Sequence, residues 1–145
     1  MSIPESVVAV LAKAPRIGKV KTRMRPHLSD YQACQLHRWC LRELDENVLP
    51  ELIRHHQRVH SRFFVTHHDP FWNQLTLNTP PQIQRGDHLG ARMYHALVES
   101  FKWIHQRRAS HLTTSERSED SSYTSTVQHD HEQDAVILLG TDCPH

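Results

Sequence analysis

Three short apolar runs, separated by two amphipathic stretches, set the pattern of this 145-residue chain. The runs lie at residues 6–12, 62–66 and 134–140, and each is followed by polar or turn-forming residues. Runs that are apolar on both faces are typical of strands buried in a parallel sheet. We therefore predict three buried strands, together with a short extended segment at residues 82–85.

The stretches between these runs have the periodicity of helices. Apolar residues recur at helical spacing over residues 30–58, and Ser29 with Gln32 three residues later resembles a capping box. Pro50 predicts a bend in this helix. A second helix is expected to begin at residues 86–90. The residues expected on its apolar face are Leu89, Met93, Leu97, Phe101 and Ile104.

The order of elements is therefore β-α-β-α-β. Alternation of this kind is typical of an α/β fold, in which right-handed crossovers join the strands of a mainly parallel sheet. Ligands of such sheets bind at the carboxyl ends of the strands. A basic loop follows the first strand and a polar turn at residues 141–143 follows the third, so we expect both at the same edge of the sheet.

The basic loop is the segment most indicative of function. Residues 13–25 contain six lysines or arginines and no acidic residue, and Gly18 lies among them. Glycine lets backbone N–H groups approach phosphate oxygens, and basic side chains neutralise them. The segment predicts a polyphosphate site, with Lys21 and Arg23 as the leading candidates. A solvated charged turn is the alternative interpretation.

Composition narrows the class of protein. The formal net charge is +1, so no overall field attracts nucleic acid or an anionic membrane. The three cysteines form no CxxC pair, which fits a reducing compartment. No apolar run approaches the length of a membrane span, and no signal-peptide pattern is present. We expect a single-domain cytoplasmic protein; the sequence leaves the oligomeric state open.

One segment departs from this globular pattern. Residues 107–133 are rich in serine and threonine, poor in large aliphatic residues and without periodicity. Such composition does not bury enough apolar surface to offset the entropy of ordering the chain. We expect a disordered polar insertion between the second helix and the third strand.

Three stretches, in the same order along the chain, resemble the motifs of one family. Residues 11–24 (LAKAPRIGKVKTRM) resemble K-x-P-x-x-G-x-V-K-T-R-L, and residues 84–93 (QRGDHLGARM) resemble Q-x-G-x-D/N-L-G-x-R-M. Residues 138–144 (LLGTDCP) resemble a strand end that reads G-T-D-C-P. The family is DUF2064, the arsenosugar-biosynthesis-type glycosyltransferase-like proteins. It is related to the molybdenum-cofactor and phospholactate nucleotidyltransferases within the nucleotide-diphospho-sugar transferase superfamily.

The resemblance implies a Rossmann-like fold of the GT-A type and a nucleotide or nucleotide-sugar ligand. The residues it assigns to phosphate and base are Lys13, Gly18, Lys21, Thr22 and Arg23. Those it assigns to the wall of the nucleotide pocket are Gly86, Leu89, Gly90 and Arg92. Asp142 would help to coordinate Mg²⁺ or Mn²⁺; the alternative is that it caps the turn before Pro144. No catalytic residue is identified.

The family pattern continues beyond the point at which this sequence stops. His145 follows the third motif by one residue, whereas the family has further strands and a D-G-G-Y-like segment. The resemblance therefore implies the N-terminal part of a GT-A fold, with the C-terminal part missing and little activity alone. The alternatives are a nucleotidyltransferase, whose A-G-G-x-S-x-R-x-G opening is lacking here, and a non-catalytic remnant.

Overall fold

The computed structural model describes residues 3–115 and 133–141, which form one four-stranded sheet flanked by helices. The strands are β1 (Ser6–Ala12), β2 (Val59–Val65), β3 (Gln82–Ile83) and β4 (Ala135–Gly140). The helices are α1 (Asp30–Glu43), α2 (Leu49–His55) and α3 (Leu89–Ser115). The predicted α/β class is confirmed. In these two ranges, every helix is too short or too polar to cross a membrane.

The sheet is parallel throughout, with the order β3-β2-β1-β4. β1 is the central strand, and Val7, Ala9 and Val10 are completely buried within it. Its register places Leu11 beside Phe64 of β2 and beside Gly140 of β4. Because all strands run in the same direction, the carboxyl ends of β1, β2 and β4 meet at one edge, as the sequence predicts.

The helices cover the two faces of the sheet separately. On one face, below α1 and α2, a large apolar cluster forms the main core; its members include Val10, Leu41, Phe63, Phe71 and Trp72. On the other face, α3 packs through Ala96 against Ala9, Leu11 and Phe64, with Val136 and Leu138 at the border. The resulting three-layer arrangement leaves the strand ends accessible.

The first amphipathic stretch folds as a helix, as the sequence predicts, and it is interrupted near Pro50. Ser29 accepts a hydrogen bond from the Gln32 backbone N–H at 3.1 Å, and the Gln32 side chain accepts one from the Ser29 N–H at 2.9 Å, so the capping box is formed. A single π-helical turn at Leu44–Val48 separates α1 from α2 and ends two residues before Pro50. Wider turns of this type are a common cause of helix bends.

Two expectations about the third helix are wrong in part. Leu89 and Met93 are exposed rather than part of the core, and the fully buried positions of α3 are Ala96, Ser100 and Ile104. Small residues at the contact let the helix approach the sheet closely. The helix also continues to Ser115, so residues 107–115 are helical rather than disordered. The rest of the expected insertion, up to residue 132, lies outside the described residues.

The expectation that the last strand is buried is also wrong. Among the described residues β4 lies at the edge of the sheet, paired with β1, and its side chains alternate in burial. Val136 and Leu138 pack towards α3, whereas Ile137 is 57% exposed and Leu139 is 38% exposed on the opposite face. The apolar cluster below α1 and α2 contains residues of β1 and β2 and none of β4. An apolar run therefore identified the strand but not its position in the sheet.

A layered group of cations and rings lies between β2 and α3. The Arg62 guanidinium lies 5.5 Å from the centre of the Phe64 ring and 5.6 Å from that of Trp103, and Arg107 lies 4.8 Å from Trp103 on α3. His60 meets the same Trp103 ring edge-on at 5.1 Å. Burial, reinforced by the charge of Arg107, lowers the pKa of His60, and the neighbouring Glu5 carboxylate opposes this shift. Burial also lowers the pKa of Arg62. These contacts hold α3 against the sheet.

A carboxylate ties β4 to the start of the chain and to α3. Asp134, which precedes β4, accepts the Glu5 backbone N–H at 3.0 Å and pairs with both terminal nitrogens of Arg108. Arg108 also donates to the Ile3 carbonyl at 3.1 Å. Bidentate Arg–carboxylate pairs of this kind fix geometry as well as contributing free energy. The edge strand is therefore held at its amino end by hydrogen bonds as well as by the sheet.

Asp134→Ala is expected to lower the free energy of unfolding by about 2–3 kcal/mol, because Arg108 and the Glu5 N–H lose their acceptor in a partly buried site. Urea unfolding followed by circular dichroism measures this loss. Glu51→Ala is the matched control, since its pair with Arg54 is exposed and should contribute less than about 1 kcal/mol. Equal losses in the two variants would contradict this account of β4.

Candidate functional site

A cavity lies at the carboxyl edge of the sheet, between the ends of β1 and β4 and the first two turns of α3. It has a volume of about 400 Å³. Leu11, Leu89, Met93 and Leu138 give it apolar walls, and Lys13, Asp87, His88 and Arg92 are its charged or titratable lining residues. We call it the carboxyl-edge cavity. Its size lies within the range of small-molecule sites.

Residues from two separate segments satisfy the carbonyl groups at the floor of the cavity. The Gln84 amide nitrogen donates to the carbonyls of Phe64 at 2.8 Å and of Ala12 at 3.3 Å, and so ties β1 to β2. Thr141 donates to the Leu11 carbonyl through its N–H at 3.1 Å and its hydroxyl at 3.3 Å. Both amide hydrogens of Gln84 are thus committed to the strand ends.

The segment that follows β1 is fixed before the basic loop begins. The buried imidazole of His37 on α1 donates through Nε2 to the Lys13 carbonyl at 2.9 Å. The Ala14 N–H donates to the Thr66 hydroxyl at 3.0 Å, and the Cys34 thiol donates to the Pro15 carbonyl at 3.3 Å. Three consecutive residues are thus anchored to the body of the protein, so the position of Lys13 at the cavity is well defined.

The turn before α3 brings its backbone very close to the helix. Gly86 has a φ of 130°, and a Cβ placed there would lie 2.6 Å from the Ala91 Cβ and 2.9 Å from the Arg92 nitrogen. The Arg92 Nε donates to the Gly86 carbonyl at 3.0 Å. Only glycine combines this φ with this contact. Arg92 is therefore held against the turn, and it lines the cavity as the fourth residue of α3.

The remaining basic residues form a separate exposed loop beside the N-terminus of α1. Gly18 and Lys21 have positive φ angles of 76° and 48°, and Thr22 and Arg23 belong to a short 3₁₀ helix at Thr22–Met24. Arg25 stabilises this loop through a hydrogen bond of 2.6 Å to Asp30. None of the four predicted residues of this loop is among those that line the cavity.

The structure thus brings together part of the predicted site. Lys13, Leu89 and Arg92 line the carboxyl-edge cavity, whereas Gly86 and Gly90 shape the turn at its rim. Asp142 lies outside the described residues, and its predicted metal-binding role stays a prediction. Within the described ranges, no three carboxylate, histidine or cysteine side chains are close enough together to hold a metal ion.

Several cavity residues were missed by the sequence analysis: Thr66, Gln84, Asp87 and His88. Gln84 opens the second motif, which was the signal available for it, but its contact with two strand ends requires the register of the sheet. Leu89 and Met93 are exposed because they line the cavity rather than the core. Helical periodicity marks them as apolar positions, yet it does not distinguish the wall of a cavity from the core.

Gly86→Ala is expected to lower the free energy of unfolding by about 2 kcal/mol or more. The added Cβ would collide with Ala91 in the first turn of α3, and alanine is strained at the positive φ of this position. Thermal unfolding measures the change. Gly140→Ala is the matched control at the same cavity, since a Cβ there has nothing within 4 Å. If both variants unfold like the wild type, the close approach described for Gly86 is incorrect.

Comparison with known proteins agrees with the fold. No protein-family model matches the sequence, and no curated protein matches it. Among solved structures, the chain is similar to a protein of Desulfovibrio desulfuricans G20 that is provisionally assigned as a nucleotide-diphospho-sugar transferase. The two are 23% identical with a TM-score of 0.52, over 69% of this chain and 43% of that one. The chain therefore spans less than half the length of that protein, and it shares with it a partial Rossmann-like α/β fold.

Proposed function

We propose that this chain is part of a glycosyltransferase-like protein that binds a nucleotide-diphospho-sugar in the carboxyl-edge cavity. The observation that carries the proposal is the joint presence of apolar walls and two cationic side chains, Lys13 and Arg92, in one cavity at the strand ends. The likeness to a provisionally assigned nucleotide-diphospho-sugar transferase supports the choice of ligand. The three motifs support membership of the DUF2064 family.

The cavity has the chemistry that such a ligand requires. Leu89, Met93 and Leu138 offer apolar surface to the planar base, and Gln84 is a polar residue of the same lining. The diphosphate would lie towards Lys13 and Arg92. Both the positive end of a helix and a guanidinium favour an anion at that position. We propose that Gly86 and Gly90 shape the turn that borders this part of the cavity.

The same cations would assist transfer of the sugar. When the glycosidic bond to the diphosphate breaks, negative charge develops on the departing phosphate, and fixed positive charges stabilise it. The Lys13 backbone is held through its carbonyl and the Arg92 side chain is held by the Gly86 carbonyl, so both residues are positioned at the cavity. Gly18, Lys21, Thr22 and Arg23 are proposed to contact the phosphates from the loop that follows Lys13.

Lys13→Ala and Arg92→Ala are each expected to weaken binding of UDP-glucose or GDP-mannose, whichever binds the wild type, by about tenfold or more. A charge-assisted hydrogen bond contributes about 1.5–3 kcal/mol. Isothermal titration calorimetry measures the affinity. Lys102→Ala is the control, because its exposed pair with Glu99 lies away from the cavity. Unchanged affinity in both cavity variants would contradict the proposed site, and release of pyrophosphate from a nucleoside triphosphate would indicate a nucleotidyltransferase instead.

A divalent metal is proposed to join the diphosphate through Asp142, which follows the end of β4. The expected result is that Mn²⁺ strengthens nucleotide-sugar binding in the wild type and has no such effect in Asp142→Asn. Titration calorimetry with and without Mn²⁺ measures the difference. Asp69→Asn, which removes a carboxylate that caps a turn elsewhere, serves as the control. Equal stimulation by Mn²⁺ in the wild type and in Asp142→Asn would exclude Asp142 as a ligand.

A further inference from the structure

The imidazole of His88 caps the N-terminus of α3. Its Nδ1 accepts a hydrogen bond from the Ala91 backbone N–H at 3.2 Å, and its carbonyl accepts the Arg92 N–H at 3.1 Å. A ring nitrogen accepts a hydrogen bond only when it carries no proton. This cap therefore requires a neutral His88 whose ring hydrogen is on Nε2.

The same side chain faces the place proposed for the diphosphate. His88 is exposed and lines the carboxyl-edge cavity, together with the charged residues Lys13, Asp87 and Arg92. Gly90 leaves the space beside the ring open, since a Cβ at that position would lie 3.3 Å from the His88 Nδ1. The ring is thus placed between the backbone N–H groups of the helix and the cavity.

We propose that His88 is a phosphate-binding residue that takes up a proton when the diphosphate binds. The inference rests on the proposed function, because it requires an anion in this cavity. In the bound state a phosphate oxygen replaces Nδ1 as the acceptor of the Ala91 N–H. The released imidazole takes a proton from solvent and donates it in a hydrogen bond to the phosphate.

The charges around His88 favour a neutral ring in the free protein and a protonated ring once the diphosphate is bound. Without ligand, a proton on His88 removes the cap and adds a positive charge to the positive end of the helix, close to Lys13 and Arg92. Asp87 is the acidic residue among those that line the cavity. A bound diphosphate reverses the balance, because it supplies negative charge and satisfies the helix N–H groups by itself. Binding and protonation are then linked, so affinity rises as the pH falls.

The residue type at this position distinguishes this chain from the motif that it resembles. The motif that residues 84–93 resemble has Asp or Asn where this chain has His88. Both are good N-cap residues, and neither titrates between pH 6 and pH 8. His88→Asn therefore keeps an acceptor for the Ala91 N–H but removes the group that can take up a proton. The variant tests protonation separately from capping.

The test is calorimetry of UDP-glucose and GDP-mannose at pH 6 to 8, in buffers with different heats of ionisation. The diphosphate of a nucleotide sugar is doubly esterified, so the ligand itself takes up no proton in this range. We expect the wild-type dissociation constant to fall by about fivefold or more between pH 8 and pH 6, with net proton uptake. His88→Asn should lose both effects, and His105→Asn, an exposed histidine farther along α3, should retain them.

The results that would contradict the role of His88 differ from those that would contradict the proposed function. Binding that is independent of pH, or that has the same pH dependence in His88→Asn, overturns the role of His88 and leaves the nucleotide-sugar site in place. Absence of binding by either nucleotide sugar at any pH overturns both. Nitrogen NMR of the free protein near pH 8 gives a separate check: the Nε2–H tautomer is expected, and a proton on Nδ1 would overturn the inference.

Discussion

The parallel pairing of β1 with a strand on each side is the constraint on which the site depends. β1 is buried along its length, so its register against β2 and β4 is fixed by the core on both faces. That register places the residues after β1, β2 and β4 at one edge. Gln84 and Thr141 then satisfy the strand-end carbonyls that α3 leaves uncovered. A shift of one residue in β1 would turn Leu11 away from the cavity and move Lys13 with it.

Much of this arrangement could be predicted from the sequence. The apolar runs identified β1, β2 and β4, and the capping box identified the start of α1, because these features depend on local periodicity and on hydrogen bonds between near neighbours. The α/β class and the shared edge followed from the order of elements. Lys13 and Arg92 were named as ligand residues through motifs, and the structure places both in one cavity; their roles remain predictions.

The parts that could not be predicted depend on which elements become neighbours. An apolar run does not show that β4 is an edge strand, and helical spacing does not show that α3 packs through Ala96 and Ser100 while Leu89 faces a cavity. The cap formed by His88 requires the particular approach of its ring to the Ala91 N–H. Local sequence describes what each element can bury, whereas the sheet order decides what each one does bury.

The central claim is that one ligand occupies the carboxyl-edge cavity and contacts both Lys13 and Arg92. Backbone amide NMR during addition of a nucleotide-diphospho-sugar tests it most directly. The account predicts that the largest shifts occur at the residues after β1 and in the first turn of α3, with little change along α2. Shifts confined to residues outside the cavity lining, such as Pro50 of α2 or the exposed Ile137 and Leu139 of β4, would contradict it.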